Sequence, residues 1–262
     1  MKIYLVSTRT AHTQTENTEL HICIRHCVFK TKTKMSSVTL RGVIFFGSAK
    51  DIAPAWGGPK RLGDRVLKHV VNTFEGHKGK VGDQEVSYSL KIFDPLEVFD
   101  PEKNGALAQS RGELRHPHFF HKPGQAPDPM NQMQQEIKTA DCIIIVSPEY
   151  NHSIPPALSS MMDHFGGSNY GYKPSAIVTY SAGPFCGMRC AMALRPFLSE
   201  LGCNPISRLS GFPDAGNLFT EEGEPNSEHP SARMISQLPK QIDQLSWYAL
   251  ALKNMREQVP GP

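Results

Sequence analysis

At 262 residues, with an ordinary apolar share of 39%, the chain can bury one sizeable core and is read as one domain with an extension. Its 28 Lys and Arg against 25 Asp and Glu are scattered, which speaks against a nucleic-acid stripe or a polybasic membrane patch, and no apolar run approaches a membrane helix. The six cysteines are too few for a disulfide scaffold and point to a reducing compartment, read here as the cytoplasm; Cys23/Cys27 and Cys186/Cys190 are spaced by three residues and match neither a redox nor a zinc half-site.

Residues 1–37 are read as an N-terminal extension outside the fold, and 38–262 as the domain. Met1 to Lys34 is Thr-rich, with basic residues and no secretory apolar core, and Glu16 and Glu19 disfavour an organelle-targeting helix. A leader ahead of a start at Met35 is preferred, because Met35-Ser36-Ser37 directly precedes the first strand.

Val38 to Phe46 reads as a buried strand ending in Gly47-Ser48-Ala49-Lys50, and a loop with Trp56, Gly57 and Gly58 leads to a helix whose stripe is Leu62, Val66, Val70 and Phe74. A glycine turn before a helix flanked by Lys60 and Arg61 suits a phosphate, since amide groups and the helix dipole both favour an anion. Neither GxGxxG nor GxxxxGK[ST] is present. Val86, Tyr88, Leu90 and Ile92 alternate as a second strand; Leu96 to Pro129, rich in Pro, Gly and His, is expected to be a site-covering loop or a disordered insertion, and Met130, Met133 and Ile137 mark the next helix.

The chain is organised around DCIIIVSPEYNHSIPPALSSMMD, from Asp141 to Asp163. Cys142 to Val146 is a β-branched run suited to a strand buried on both faces, and Pro155 and Pro156 fit the first turn of a helix carrying Leu158, Met161 and Met162. Ser147 to Ile154 lies between them, where an open parallel sheet receives its ligand. Ser175 to Tyr180 is a fourth strand with Ser181 to Gly187 after it, Met188 to Leu201 a helix, Asn204 to Leu209 a short fifth strand, and Ile235 to Leu252 a long final helix in which Pro239 marks a kink or the first turn. This alternation predicts an α/β, flavodoxin-like, doubly wound five-stranded parallel sheet of order 2-1-3-4-5, with the loops after strands one, three and four converging at one edge.

Gly47 to Lys50, SPEYNHSIPPAL (Ser147 to Leu158), Lys173-Pro174 and YSAGPFCGMRCAMALRPFLSELG (Tyr180 to Gly202) together resemble the NADPH-dependent FMN reductase family, which includes quinone and azo-dye reductases. The resemblance implies bound FMN, usually a homodimer, and an oxidoreductase passing a hydride from NADPH through FMN to quinones or similar small acceptors in a ping-pong sequence. Carried over residue by residue, Gly47, Ser48, Lys50 and Arg61 would hold the FMN phosphate; Pro148, Glu149, Tyr150 and Asn151 would edge the flavin ring, and Ser181 and Gly183 would line its other side. The family commonly has Arg at position 50, a shorter route to the helix and paired glycines after the fourth strand; this chain has Lys50, a loop with Trp56, and Ala182-Gly183.

No side chain is required as a catalytic acid or base, because the flavin carries the chemistry; Tyr150 is read as a stacking residue. The alternative is a non-enzymatic flavoprotein, an electron carrier or a redox-dependent binding partner, and a flavin-free hydrolase or phospho-receiver is a third reading. His116, His118 and His121 lack a cysteine or carboxylate in register and are read as solvated or acceptor-facing rather than metal ligands. Ser159, Ser160, Asp163 and His164 fall in a helix pattern with no GxSxG elbow. Cys186 is expected at a helix N-terminus that would lower its pKa.

Overall fold

In a computed structural model, residues 36–50, 61–108 and 116–259 are described. The elements are β1 (Ser36–Phe46), α1 (Leu62–Glu75), β2 (Gly79–Val81), β3 (Gln84–Phe93), α2 (Pro95–Val98), α3 (Asp128–Thr139), β4 (Cys142–Pro148), α4 (Pro156–Asp163), β5 (Pro174–Tyr180), α5 (Met188–Glu200), β6 (Asn204–Phe212), α6 (Ala215–Leu218) and α7 (Gln237–Gln258). β1 thus begins two residues before Val38, with Ser36 and Ser37 paired to Gln84 and Glu85. The rest of the expected extension lies outside the described residues.

The sheet order is β2-β3-β1-β4-β5-β6. β3, β1, β4, β5 and β6 pair in parallel in the order expected for five strands, with β4 between β1 and β5. The correction is a sixth strand: Gly79–Val81 folds back antiparallel onto Gln84 to Val86 across a turn in which Gly82 has φ 61°. Three residues with one apolar side chain carry too little alternation to announce a strand.

β4 and β5 are buried along their whole length, as strands covered on both faces must be. Successive side chains divide between two cores. Val43, Phe45, Ile143, Ile145 and Ile177 pack beneath α3, α4 and α5; Ile44, Phe46, Ile144, Val146, Val178 and Tyr180 pack beneath α1 and α7. Each buried aliphatic side chain contributes about 1.5–3 kcal/mol, so the central strands outweigh any local turn preference. α4 starts after Pro155, with Pro156 in its first turn. Pro239 lies in the first turn of α7, where its missing N–H has no helical partner to lose.

Polar groups tie down the amino edge of the sheet. Asp141, buried just before β4, accepts from the Arg41 amide at 2.9 Å and from Lys253 Nζ at 3.0 Å, fastening the end of α7. Lys173, 4% exposed before β5, donates to the carbonyls of Ile137 at 2.7 Å, Lys138 at 3.0 Å and Asn169, and so caps the C-terminus of α3. No helix among the described residues is long and apolar enough to cross a membrane.

Candidate functional site

The loops after β1, β4 and β5 meet at the carboxyl edge. Gly47 donates to the Val146 carbonyl at 2.8 Å, continuing the β1–β4 ladder past Phe46. The Ala49 amide reaches the Tyr150 hydroxyl at 3.4 Å, and Lys50 Nζ stands 4.5 Å from the centre of the Tyr150 ring. From the other side, Glu149 receives the amides of Arg189 at 3.0 Å and Cys190 at 3.3 Å and the Arg189 Nε at 2.7 Å. Glu149 therefore caps α5 by reaching across from the β4 loop. Partial burial works against this carboxylate, but hydrogen bonds from Arg189 and the two amides hold its pKa below the usual range.

Tyr150 and Ser153 exchange backbone hydrogen bonds of 3.2 and 3.0 Å, closing a two-residue turn on Asn151 and His152. Both have positive φ, 49° and 61°, as a type I′ turn demands. Asn tolerates that region because its short amide bonds locally, so the residue type is explained by the backbone before any ligand is invoked. Asn151 and His152 stand exposed at the tip, while Pro148 is buried at the base.

In the loop after β5, Ser181 Oγ donates to the Gly183 carbonyl at 2.6 Å and accepts from the Cys186 amide at 2.9 Å. Gly183 faces open space, whereas Gly187 has φ 70° and lies so close to Thr179 and Tyr180 that a Cβ would stand 2.9 Å from each. Cys186, at φ 58°, departs from expectation: burial pushes its thiol up.

Arg61 is turned inward. Its guanidinium grips Asp94 through two bonds of 2.7 and 2.6 Å, bonds the Ser48 carbonyl at 2.9 Å and pairs with Asp64 at 2.8 Å. Burial opposes its charge, yet Asp94 and Asp64 hold the guanidinium more firmly protonated than usual. The cation expected on a phosphate is thus spent on bracing Ser48, and it needs Asp94, whose only mark in the sequence is the Asp-Pro step ending β3. At the start of α1, Gly63 lets the helix press onto the sheet: a Cβ there would lie 2.1 Å from the Tyr180 hydroxyl and 2.7 Å from Phe46. Residues 51–60, including Trp56, lie outside the described residues.

Among the predicted residues, direct contacts join Arg61 to Ser48 and Lys50 to Tyr150; Gly47 bonds Val146 of β4, Glu149 bonds the start of α5, and Ser181 bonds Gly183 and Cys186 within its own loop. Asp94, Arg189 and Tyr180 were not singled out by the sequence; a polar tip at the carboxyl end of an apolar strand is the signal that Tyr180 carried. The histidine segment serves elsewhere: the His118 amide bonds the His164 carbonyl at 2.8 Å and its ring bonds Asn131 at 2.9 Å. No cluster of three or more His, Cys, Asp or Glu among the described residues is arranged for a metal. His164 Nδ1 lies 2.6 Å from its own helix's Ser160 carbonyl, so no nucleophile-base pair forms there.

A family model for NADPH-dependent FMN reductases matches residues 43–216. A quinone reductase of Pseudomonas putida is 31% identical over 150 residues, 54% of this chain and 79% of that protein. An NADPH azoreductase of a Bacillus species is 21% identical over 154 residues, 58% of this chain and 70% of its own length. Among solved structures, FerB, a flavoenzyme NAD(P)H:(acceptor) oxidoreductase from Paracoccus denitrificans, aligns with a TM-score of 0.55 at 15% identity, over 79% of this chain and 97% of that one. At that identity the likeness bears on the fold alone.

Proposed function

The chain belongs to the NADPH-dependent FMN reductase family, and we propose that it is an FMN-dependent NAD(P)H oxidoreductase of quinones or similar small acceptors, acting in the cytoplasm as a homodimer. The observation that carries this reading is the meeting of the β1 and β4 loops through Ala49, Lys50 and Tyr150 at the carboxyl edge.

The residues present fit the cofactor at both ends. α1 begins without a side-chain cap, and of its first-turn amides Asp64 is answered by the Arg61 carbonyl at 3.2 Å, while Ser48 and Lys50 stand on the loop that leads to it. At the other end stand buried Pro148, half-buried Tyr150 and Gly183, which faces open space. FMN, when bound, supplies the redox chemistry, accepting two electrons from NADPH and passing them to the acceptor. The chain's own work is positional. Arg61, its charge answered by Asp94 and Asp64, fixes the Ser48 carbonyl at the phosphate end. Glu149 locks the β4 loop onto α5, holding Tyr150 and Asn151 at fixed separation from Ser181 and Gly183. Asn151 and His152 shape the turn that aims this loop.

The reading is tested with apo-protein. FMN should raise its melting temperature and riboflavin much less at equal concentration, because the stabilisation by a ligand grows with the logarithm of its affinity for the folded state. Equal shifts would remove the phosphate end at Ser48, Lys50 and Arg61. With donor and acceptor using one pocket in turn, initial-rate lines at several quinone concentrations should be parallel; intersecting lines would require both to be bound together. Negligible turnover with every quinone by an FMN-loaded protein would favour the electron-carrier reading.

A further inference from the structure

Tyr180 is the last residue of β5, paired in register with Pro148 on one side and Phe212 on the other. Its side chain crosses beneath α1, in the core shared with Phe46 and Val66, and is 2% exposed. The hydroxyl ends against Gly63 and beside Ser48, close enough to feel the Ser48 hydroxyl, yet it completes no hydrogen bond among the described residues. An orphaned buried hydroxyl costs about 1–3 kcal/mol, and a phenylalanine would fill the same core without it. The same point faces a second deficit. α1 is 14 residues long, and its N-terminus has no side-chain cap. Among the described residues the Asp64 amide is answered by the Arg61 carbonyl at 3.2 Å, but the uncapped start of α1 and the Tyr180 phenol still converge between Ser48 and Gly63. One acceptor that satisfies both is an anion carrying several oxygens. The acids nearby do not compete for it: Asp64 and Asp94 are both bound to Arg61.

We propose that the Tyr180 hydroxyl donates to the phosphate monoester of the cofactor and is the side chain by which this site tells FMN from riboflavin. The inference rests on the FMN reading above and adds to it a residue from the far strand. Burial pushes the phenol pKa far up, so the group keeps its proton and meets an anion as a donor. The bland role, a tyrosine that merely fills the core beneath α1, makes the opposite prediction for the ligand.

The test uses the full chain stripped of flavin, as parent and as Tyr180→Phe, with dissociation constants for FMN and riboflavin from flavin fluorescence. For the variant, FMN affinity should fall about tenfold, the loss of one hydrogen bond to a charged acceptor, while riboflavin affinity stays at the parental value. Inorganic phosphate should raise the melting temperature of the parent more than that of the variant. Unchanged riboflavin binding also shows that the variant is folded. Equal losses for both flavins, or none for either, would overturn the role of Tyr180. A parent that prefers FMN beside an indifferent variant sinks only this inference, whereas a parent that binds neither flavin sinks the FMN reading and this inference with it.

Discussion

Both edges of the sheet carry polar side chains, and they use them differently. At the amino edge, Asp141 is answered by Lys253 and the Arg41 amide, and Lys173 by three carbonyls. Donors and acceptors close on one another there, and the product is fastening of α3 and α7. At the carboxyl edge the backbone takes costly conformations at Asn151, His152, Cys186 and Asp214, Gly183 faces open space, and the Tyr180 hydroxyl is left unanswered. Four of the six described non-glycine residues with positive φ lie at this edge, where a ligand would compensate them; the amino edge has Tyr172 at φ 59° and one unpaired buried hydroxyl, Ser175 Oγ. Buried cations illustrate the same division: burial, with Arg256 adding to it, pushes Lys173 down to about 8, while Arg61 is held charged by Asp94 and Asp64.

The largest effect that separates the edges is expected from Lys173→Met. It removes three hydrogen bonds and leaves the carbonyls at the end of α3 without their cap, outweighing the relief of a buried ammonium, so urea unfolding should show a loss of about 2–3 kcal/mol. FMN affinity measured under folding conditions should stay parental; a fall in affinity with no loss of stability would erase the distinction between the edges.

Next in size is Asn151→Ala at the carboxyl edge. Alanine resists φ 49° and lacks the amide, so flavin binding should weaken by roughly 1–3 kcal/mol with a smaller change in unfolding free energy. Asn151→Gly sharpens the result. Recovery of binding in the glycine variant assigns the effect to the turn, and equal loss in both assigns it to the side-chain amide; parental binding in both would remove this turn from the site.

The smallest effect concerns His69 on α1, whose Nδ1 lies 3.2 Å from the Gly223 carbonyl and whose ring packs against Phe219. Burial lowers its pKa, the Gly223 carbonyl opposing. The unfolded chain then binds the proton more readily than the folded one, so stability is full above the unfolded value near 6.5 and is lost as pH falls below it. Melting temperatures between pH 7.5 and 5, a range chosen to span about that value, should fall more steeply for the parent than for His69→Gln. Parallel curves would show that His69 does not titrate across unfolding.

Much of the fold was written in local pattern. The β-branched run at Cys142 to Val146, the apolar spacing of Leu62 to Phe74 and the prolines opening α4 each encode an element whose neighbours merely agree with it. Alternation of strand and helix then leaves few topologies open, and the order of the five parallel strands followed. Short β2 escaped because three residues have no period, and the histidine segment was read as solvated or acceptor-facing because a pattern cannot show that His118 is engaged by Asn131. Within the site, the motif around Tyr150 was legible because its strand, turn and helix are contiguous. The partners of Arg61, Glu149 and Gly63 were not. Asp94 lies 33 positions from Arg61 and Arg189 lies 40 from Glu149, and such pairs exist only once the sheet has brought their strands' ends together. Side-chain chemistry along the chain decides which elements form; which charge is answered and which hydroxyl is left waiting depends on distances that only packing sets.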